Sequence, residues 1–90
     1  MKTIDLGNGA EYRIYADGDK VWYLNGKRHR TDGPATEYTN GDKYWHLNDK
    51  LHRIDGPAIE YANGDKFWFL NDIQYSEEEF EMAKEMLWAV

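Results

Sequence analysis

The side chains best equipped for chemistry come in two copies, His29-Arg30-Thr31-Asp32-Gly33-Pro34 and, 23 residues later, His52-Arg53-Ile54-Asp55-Gly56-Pro57. Lys27 and Arg28 precede the first copy and Lys50 precedes the second. Lys27, Arg28, His29, Arg30, His52 and Arg53 therefore form one basic ridge in an otherwise acidic chain. Equivalent residues separated by two strands would stand about 10 Å apart, a workable spacing for holding phosphates. The same residues also have a use that needs no ligand. Arg30 and Arg53 can pair with Asp32 or Asp55, and His29 and His52 can hydrogen-bond turn carbonyls, which would make the ridge a structural corner.

Other candidate chemistry is weaker. His46 stands apart from His29 and His52, and the three form no close-set ligand pattern, so no metal is expected. Asp17-Gly18-Asp19, with Asn-Gly-Asp at 40–42 and 63–65, lacks the further acidic ligands and closing glutamate of a calcium loop. Glu37 and Glu60 repeat, but equivalent carboxylates in adjacent units read as a lysine-paired rail. The chain has no nucleophile elbow, Gly-rich phosphate loop or triad order. Neither enzyme activity nor a cofactor is expected.

The elements that position these residues follow from a period of 23. Tyr15, Tyr38 and Tyr61 align without a gap, as do Trp22, Trp45 and Trp68, Leu24, Leu47 and Leu70, and Asn25, Asn48 and Asn71. Such a period marks an array whose units bury apolar surface against their neighbours. Aromatic-rich runs between Asn/Asp/Gly turns predict strands near 10–15, 20–24, 35–38, 43–47, 58–61 and 66–70, with short return strands after each Asn turn. Local connections favour up-and-down order. The fold expected is mainly β: an antiparallel meander of repeated hairpins closed by one C-terminal α-helix. It is a single domain over 1–90, with an N-terminal strand or cap at 1–14, repeats at 15–72 and a capping helix at 76–89. Ser76 with Glu79 is a capping box, and Phe80, Ala83, Leu87 and Val90 make one helical stripe.

Composition narrows the partners. The formal charge of −6 argues against non-specific binding to DNA or to anionic lipid, so neither a membrane nor nucleic acid is the expected partner. There is no cysteine for a disulfide framework, no apolar run long enough to span a bilayer, and no secretory leader, which points to the cytoplasm. Because acids alternate with lysines (Asp19-Lys20, Asp42-Lys43, Asp65-Lys66), acidic mimicry of nucleic acid ranks last.

The pattern Trp-x-Leu-Asn-Gly-Lys-x-His-Arg-x-Asp-Gly-Pro-Ala-x-x-Tyr-x-x-Gly resembles MORN-type repeats over residues 15–72. His-Arg-x-Asp-Gly-Pro-Ala replaces the family's usual His-Gly-x-Gly run. That variant looks like repeats in small proteins of bacteriophages and large DNA viruses. The resemblance implies a twisted hairpin array with a non-enzymatic role in holding partners. In a viral setting it implies an accessory protein that binds, and inhibits, a host protein or defence system in the host cytoplasm.

The two faces of each central strand differ. Trp22, Trp45, Trp68, Leu24, Leu47 and Leu70 share one face by period-2 alternation and never vary, which marks them as core. The other face carries Val21, Tyr23, Tyr44, His46, Phe67 and Phe69, flanked by Tyr15, Tyr38 and Tyr61. These residues vary between units yet stay large, as protein-recognition anchors do. Tyr23, Tyr38, Tyr44, His46, Tyr61, Phe67 and Phe69 are the expected contacts for a partner protein. Cover by the C-terminal helix, or by a second copy in a homodimer, is the competing expectation.

Overall fold

The computed structural model describes residues 1–88 of the chain. Val90 and the side chains of Leu87 and Trp88, three members of the expected helix surface, lie outside the described residues. The strands are β1 (Lys2–Gly7), β2 (Ala10–Ile14), β3 (Lys20–Leu24), β4 (Lys27–Arg28), β5 (Thr36–Glu37), β6 (Lys43–Tyr44), β7 (His46–Leu47), β8 (Lys50–Leu51), β9 (Ile59–Glu60), β10 (Lys66–Leu70) and β11 (Ile73–Tyr75), followed by helix α1 (Glu77–Trp88). The fold is a mainly antiparallel meander of hairpins with one C-terminal helix, as the repeat predicted. The main sheet runs β1-β2-β3-β5-β6-β9-β10-β11, with β4 beside β3, while β7 and β8 form a separate hairpin.

Each unit forks at its tryptophan. Trp22 donates its amide to Ala35 O at 2.8 Å and its carbonyl accepts from His29 N at 3.1 Å. Trp45 does the same with Ala58 O at 2.7 Å and His52 N at 3.1 Å. The first half of the strand thus pairs with the next unit-spanning strand and the second half with its own return strand. β3 stays whole through Trp22 because β2 pairs with it along its full length, whereas the expected 43–47 strand has no such partner and is split at Trp45 into β6 and β7.

The return hairpins turn on pairs of positive φ: Asn25 and Gly26, Asn48 and Asp49, Asn71 and Asp72. Positive φ at both central residues is the type I′ requirement that Asn-Gly meets most cheaply. Asp49 and Asp72 accept the strain of φ 66° and 68° because their carboxylates make a bond glycine cannot. Asp49 Oδ1 accepts the Arg28 amide at 2.7 Å and Asp72 Oδ1 accepts the Leu51 amide at 2.6 Å. On the opposite edge Asp19 and Asp42 accept the Thr39 and Ala62 amides at 2.9 and 2.8 Å. Neighbouring units are therefore stapled at both ends. Asn8 and Gly9, also at positive φ, form one more such turn between β1 and β2.

Register sorts the faces. Lys20, Glu37, Lys43, Glu60 and Lys66 lie opposite one another across five strands, an alternation of sign that favours this alignment. The adjoining row on the other face is Val21, Thr36, Tyr44, Ile59 and Phe67.

The molecule is 40 × 33 × 17 Å, so a sheet of this area has little depth in which to bury side chains. This corrects the expected core. Of the Trp and Leu positions only Leu70 is buried, and the others are half-buried. Burial concentrates instead at Val21, Ala35, Ala58, Ile59, Leu70 and Phe80.

Helix α1 starts with the expected capping box: Ser76 Oγ accepts the Glu79 amide at 3.1 Å and Glu79 Oε1 accepts the Ser76 amide at 2.8 Å. It packs on β10 and β11 through Phe80, which is wholly buried, while Met86 is exposed. Leu70, on the tryptophan side of β10, is buried where Leu24 and Leu47 are not. The burial of Leu70 sets the contact of α1 with β10 on the tryptophan side of that strand.

Candidate functional site

The His-Arg ridge is built as a corner. Arg30 lies over Trp22 with its guanidinium carbon 3.8 Å from the ring centre, and Arg53 lies over Trp45 at 3.9 Å. Arg30 donates to Asp32 Oδ1 at 2.9 Å and to Pro34 O at 3.1 Å, with Glu37 at 3.8 Å. Arg53 donates to Asp55 Oδ1 at 2.8 Å, Pro57 O at 3.0 Å and Glu60 Oε2 at 3.0 Å. The glycine of the motif supplies space. A Cβ on Gly33 would come within 2.8 Å of the Arg30 guanidinium carbon, and one on Gly56 within 2.9 Å of that of Arg53. Arg30 and Arg53 pull the Asp32 and Asp55 carboxyls below their ordinary range.

His29 and His52 are part of the same corner, with a difference from expectation. Each accepts through Nδ1, from the Asn48 and Asn71 amides at 3.1 Å, and neither bonds a turn carbonyl. Accepting at Nδ1 leaves the proton on Nε2 of the neutral ring. Burial lowers the pKa of His52. Between the two corners runs an open groove of about 640 Å³ with Trp45, Leu47 and Ile54 along it and Asp32 and Asp55 on its rim. Arg30 and Arg53 spend their charge on carboxylates within the corner. Lys27, Arg28 and Lys50 stay exposed. No group of three or more His, Asp or Glu that could hold a metal occurs among the described residues.

The aromatic face carries a continuous ladder of rings. Tyr38 meets Tyr44 edge-on at 5.5 Å, Tyr44 meets Tyr61 at 6.1 Å, and Tyr61 meets Phe67 at 5.6 Å, the geometry that the ring quadrupole favours. Burial, with the neighbouring Tyr61 phenol adding to it, pushes the Tyr44 phenol up to about 12, so it stays a neutral hydroxyl. Tyr38 is exposed, and Tyr23, Tyr44, Tyr61, Phe67 and Phe69 are half-buried. His46 is the exception. Only 7% exposed, it meets Tyr44 edge-on at 6.4 Å and offers a partner little contact surface. Burial is the chief cause that keeps its pKa low.

Arg13, which sequence reasoning passed over, joins this face by lying 4.4 Å over Tyr23 while its Nε donates to Glu11 at 2.8 Å. Its signal was available: it precedes Tyr15 by two residues on a strand and so shares that residue's side of the sheet.

Comparison with protein-family models, with curated proteins and with solved structures found no match. Among the described residues no helix is long and apolar enough to cross a membrane.

Proposed function

We propose that this chain is a non-enzymatic protein-recognition module that binds a partner protein through Tyr23, Tyr38, Tyr44, Tyr61, Phe67 and Phe69. The observation that carries the reading is the edge-to-face ladder from Tyr38 to Phe67. Rings locked against one another lose little side-chain entropy on binding, and their partly exposed edges present apolar area beside hydroxyls that orient a partner. In the setting implied by the MORN-like repeat, a viral accessory protein, the partner is a host protein whose activity is blocked. The ridge reading is less well supported, since Arg30 and Arg53 are already paired.

Site-specific photo-cross-linking tests this. A benzophenone amino acid is placed at Tyr38, or at Thr31 on the corner side, and the chain is exposed to host lysate. The expected result is one cross-linked protein from position 38 that excess unlabelled chain competes away. Capture from position 31 alone would place recognition on the corner and overturn the reading.

A further inference from the structure

The first unit departs from the second at four positions that meet in one place. Val21, Tyr23, Arg28 and Thr36 correspond to Tyr44, His46, Leu51 and Ile59. In the first unit these four line a hollow of about 230 Å³, with Tyr15 and Tyr38 on its walls and Asp19 beside them. In an array, invariant positions serve the common packing, and a cluster of departures around one cavity marks a property of that unit alone.

The hollow is rich in donors. Thr36 forms part of its lining at 3% exposure, and its Oγ1 is buried without a hydrogen-bond partner among the described residues. An orphaned buried hydroxyl is costly unless a guest supplies its missing bond. The Tyr15 and Tyr23 hydroxyls are 3.0 Å apart, so one proton bridges them and the other is free to donate. Arg13 backs the pair from above Tyr23 but is held by Glu11. Arg28 has no carboxylate within ion-pair distance among the described residues. The one acid on the lining is Asp19, with one oxygen occupied by the Thr39 amide at 2.9 Å.

We infer that this hollow is a binding site for a compact oxyanion, a carboxylate or phosphate group, held by Arg28 and the hydroxyls of Tyr15 and Thr36. The guest supplies only acceptors, which complements a lining whose unspent groups are donors. The assignment is independent of the protein-recognition reading, because a free anion suffices to fill the site.

Backbone amide NMR titration with sodium phosphate and, separately, sodium acetate tests it, with ionic strength held constant by sodium chloride. Saturable shifts at Val21, Thr36 and Tyr38 with at least one of the two anions are expected. Phosphate alone would assign the site to phosphate groups, and acetate alone to carboxylates. Val21→Tyr with Arg28→Leu and Thr36→Ile rebuilds the unit with residues the second unit already uses, and should weaken binding about tenfold or more. Thr36→Val changes little but the hydroxyl, and should weaken it roughly threefold to tenfold. Asp19→Asn keeps the acceptor for Thr39 and should tighten binding. The proposal is overturned if neither anion does more than chloride, if the rebuilt chain binds as well as the original, or if Asp19→Asn weakens binding, which would mean that the Asp19 carboxylate does not face the bound anion.

Discussion

The guanidinium carbon of Arg53 rests 3.9 Å from the centre of the Trp45 ring, and a Cβ on Gly56 would come within 2.9 Å of that same carbon. A planar cation is thus held between an indole and a bare stretch of backbone, with Asp55, Glu60 and the Pro57 carbonyl as acceptors for its N–H groups. This relationship, duplicated by Arg30, Trp22 and Gly33, explains why His-Arg-x-Asp-Gly-Pro recurs as a block.

Arg53→Ala should destabilise the protein by about 2 kcal/mol, combining lost stacking with lost charge-assisted bonds at a mostly buried group. Arg53→Lys should recover little of that, since an ammonium neither stacks flat nor forks between acceptors. Gly56→Ala should cost a similar amount by forcing Arg53 off the ring. Urea-denaturation midpoints followed by tryptophan fluorescence measure all three. Full recovery in Arg53→Lys would show that charge alone matters.

Asp49 separates a backbone cost from a bond. Asp49→Ala keeps the positive φ and loses the acceptor for the Arg28 amide, and should lose about 2 kcal/mol. Asp49→Asn retains an acceptor and should be near neutral. Asp49→Gly relieves the φ but drops the staple, so the two effects should nearly cancel. Equal losses in Ala and Asn variants, read by thermal denaturation, would rule out the staple.

Acid should loosen the array in a defined window. His52 and His46 both have folded pKa values below their ordinary 6.5, chiefly through burial. The unfolded chain therefore takes up these protons more readily than the folded one. Their stabilisation is complete above pH 6.5 and is lost as pH falls through the folded values. Protonating His52 also removes the acceptor for the Asn71 amide. Tm should drop as pH is lowered from neutral to about 5, before Asp32, Asp55 and Glu79, whose pKa values are lowered, begin to protonate. A flat Tm over that range would show that these imidazoles gain protons without penalty.

Phe80 anchors the helix. Phe80→Ala should cost about 3–5 kcal/mol, as for other fully buried aromatic truncations. Hydrogen exchange should then speed up in α1 and β11 before it does in β2 and β3, because the array's contacts are between neighbours. Ser76→Ala should cost about 1 kcal/mol through the lost cap. Uniform acceleration across the sheet in Phe80→Ala would mean that the helix supports every unit.

The sequence by itself determined the period, the turns, nearly every strand and the cap, because these rest on short-range backbone chemistry. Asn-Gly and Asn-Asp declare positive φ, and Ser76 with Glu79 declares a helix start, wherever they lie in a chain. It also determined the pairing of Arg30 with Asp32 and of Arg53 with Asp55, two residues apart. The N-terminal strand or cap expected at 1–14 holds the strand β1, turned into β2 by Asn8-Gly9, the same turn signal that Asn25-Gly26 carries. Depth was a tertiary decision. A slab 17 Å thick leaves Trp22, Trp45 and Trp68 half-exposed, the first two under arginine lids, whereas the repeat pattern implied a buried core. Only the tertiary structure buried His46, set α1 on the tryptophan side and brought Val21, Arg28 and Thr36 around one hollow. Alternation along a strand says which side chains share a face, but what covers that face depends on residues far away in the chain.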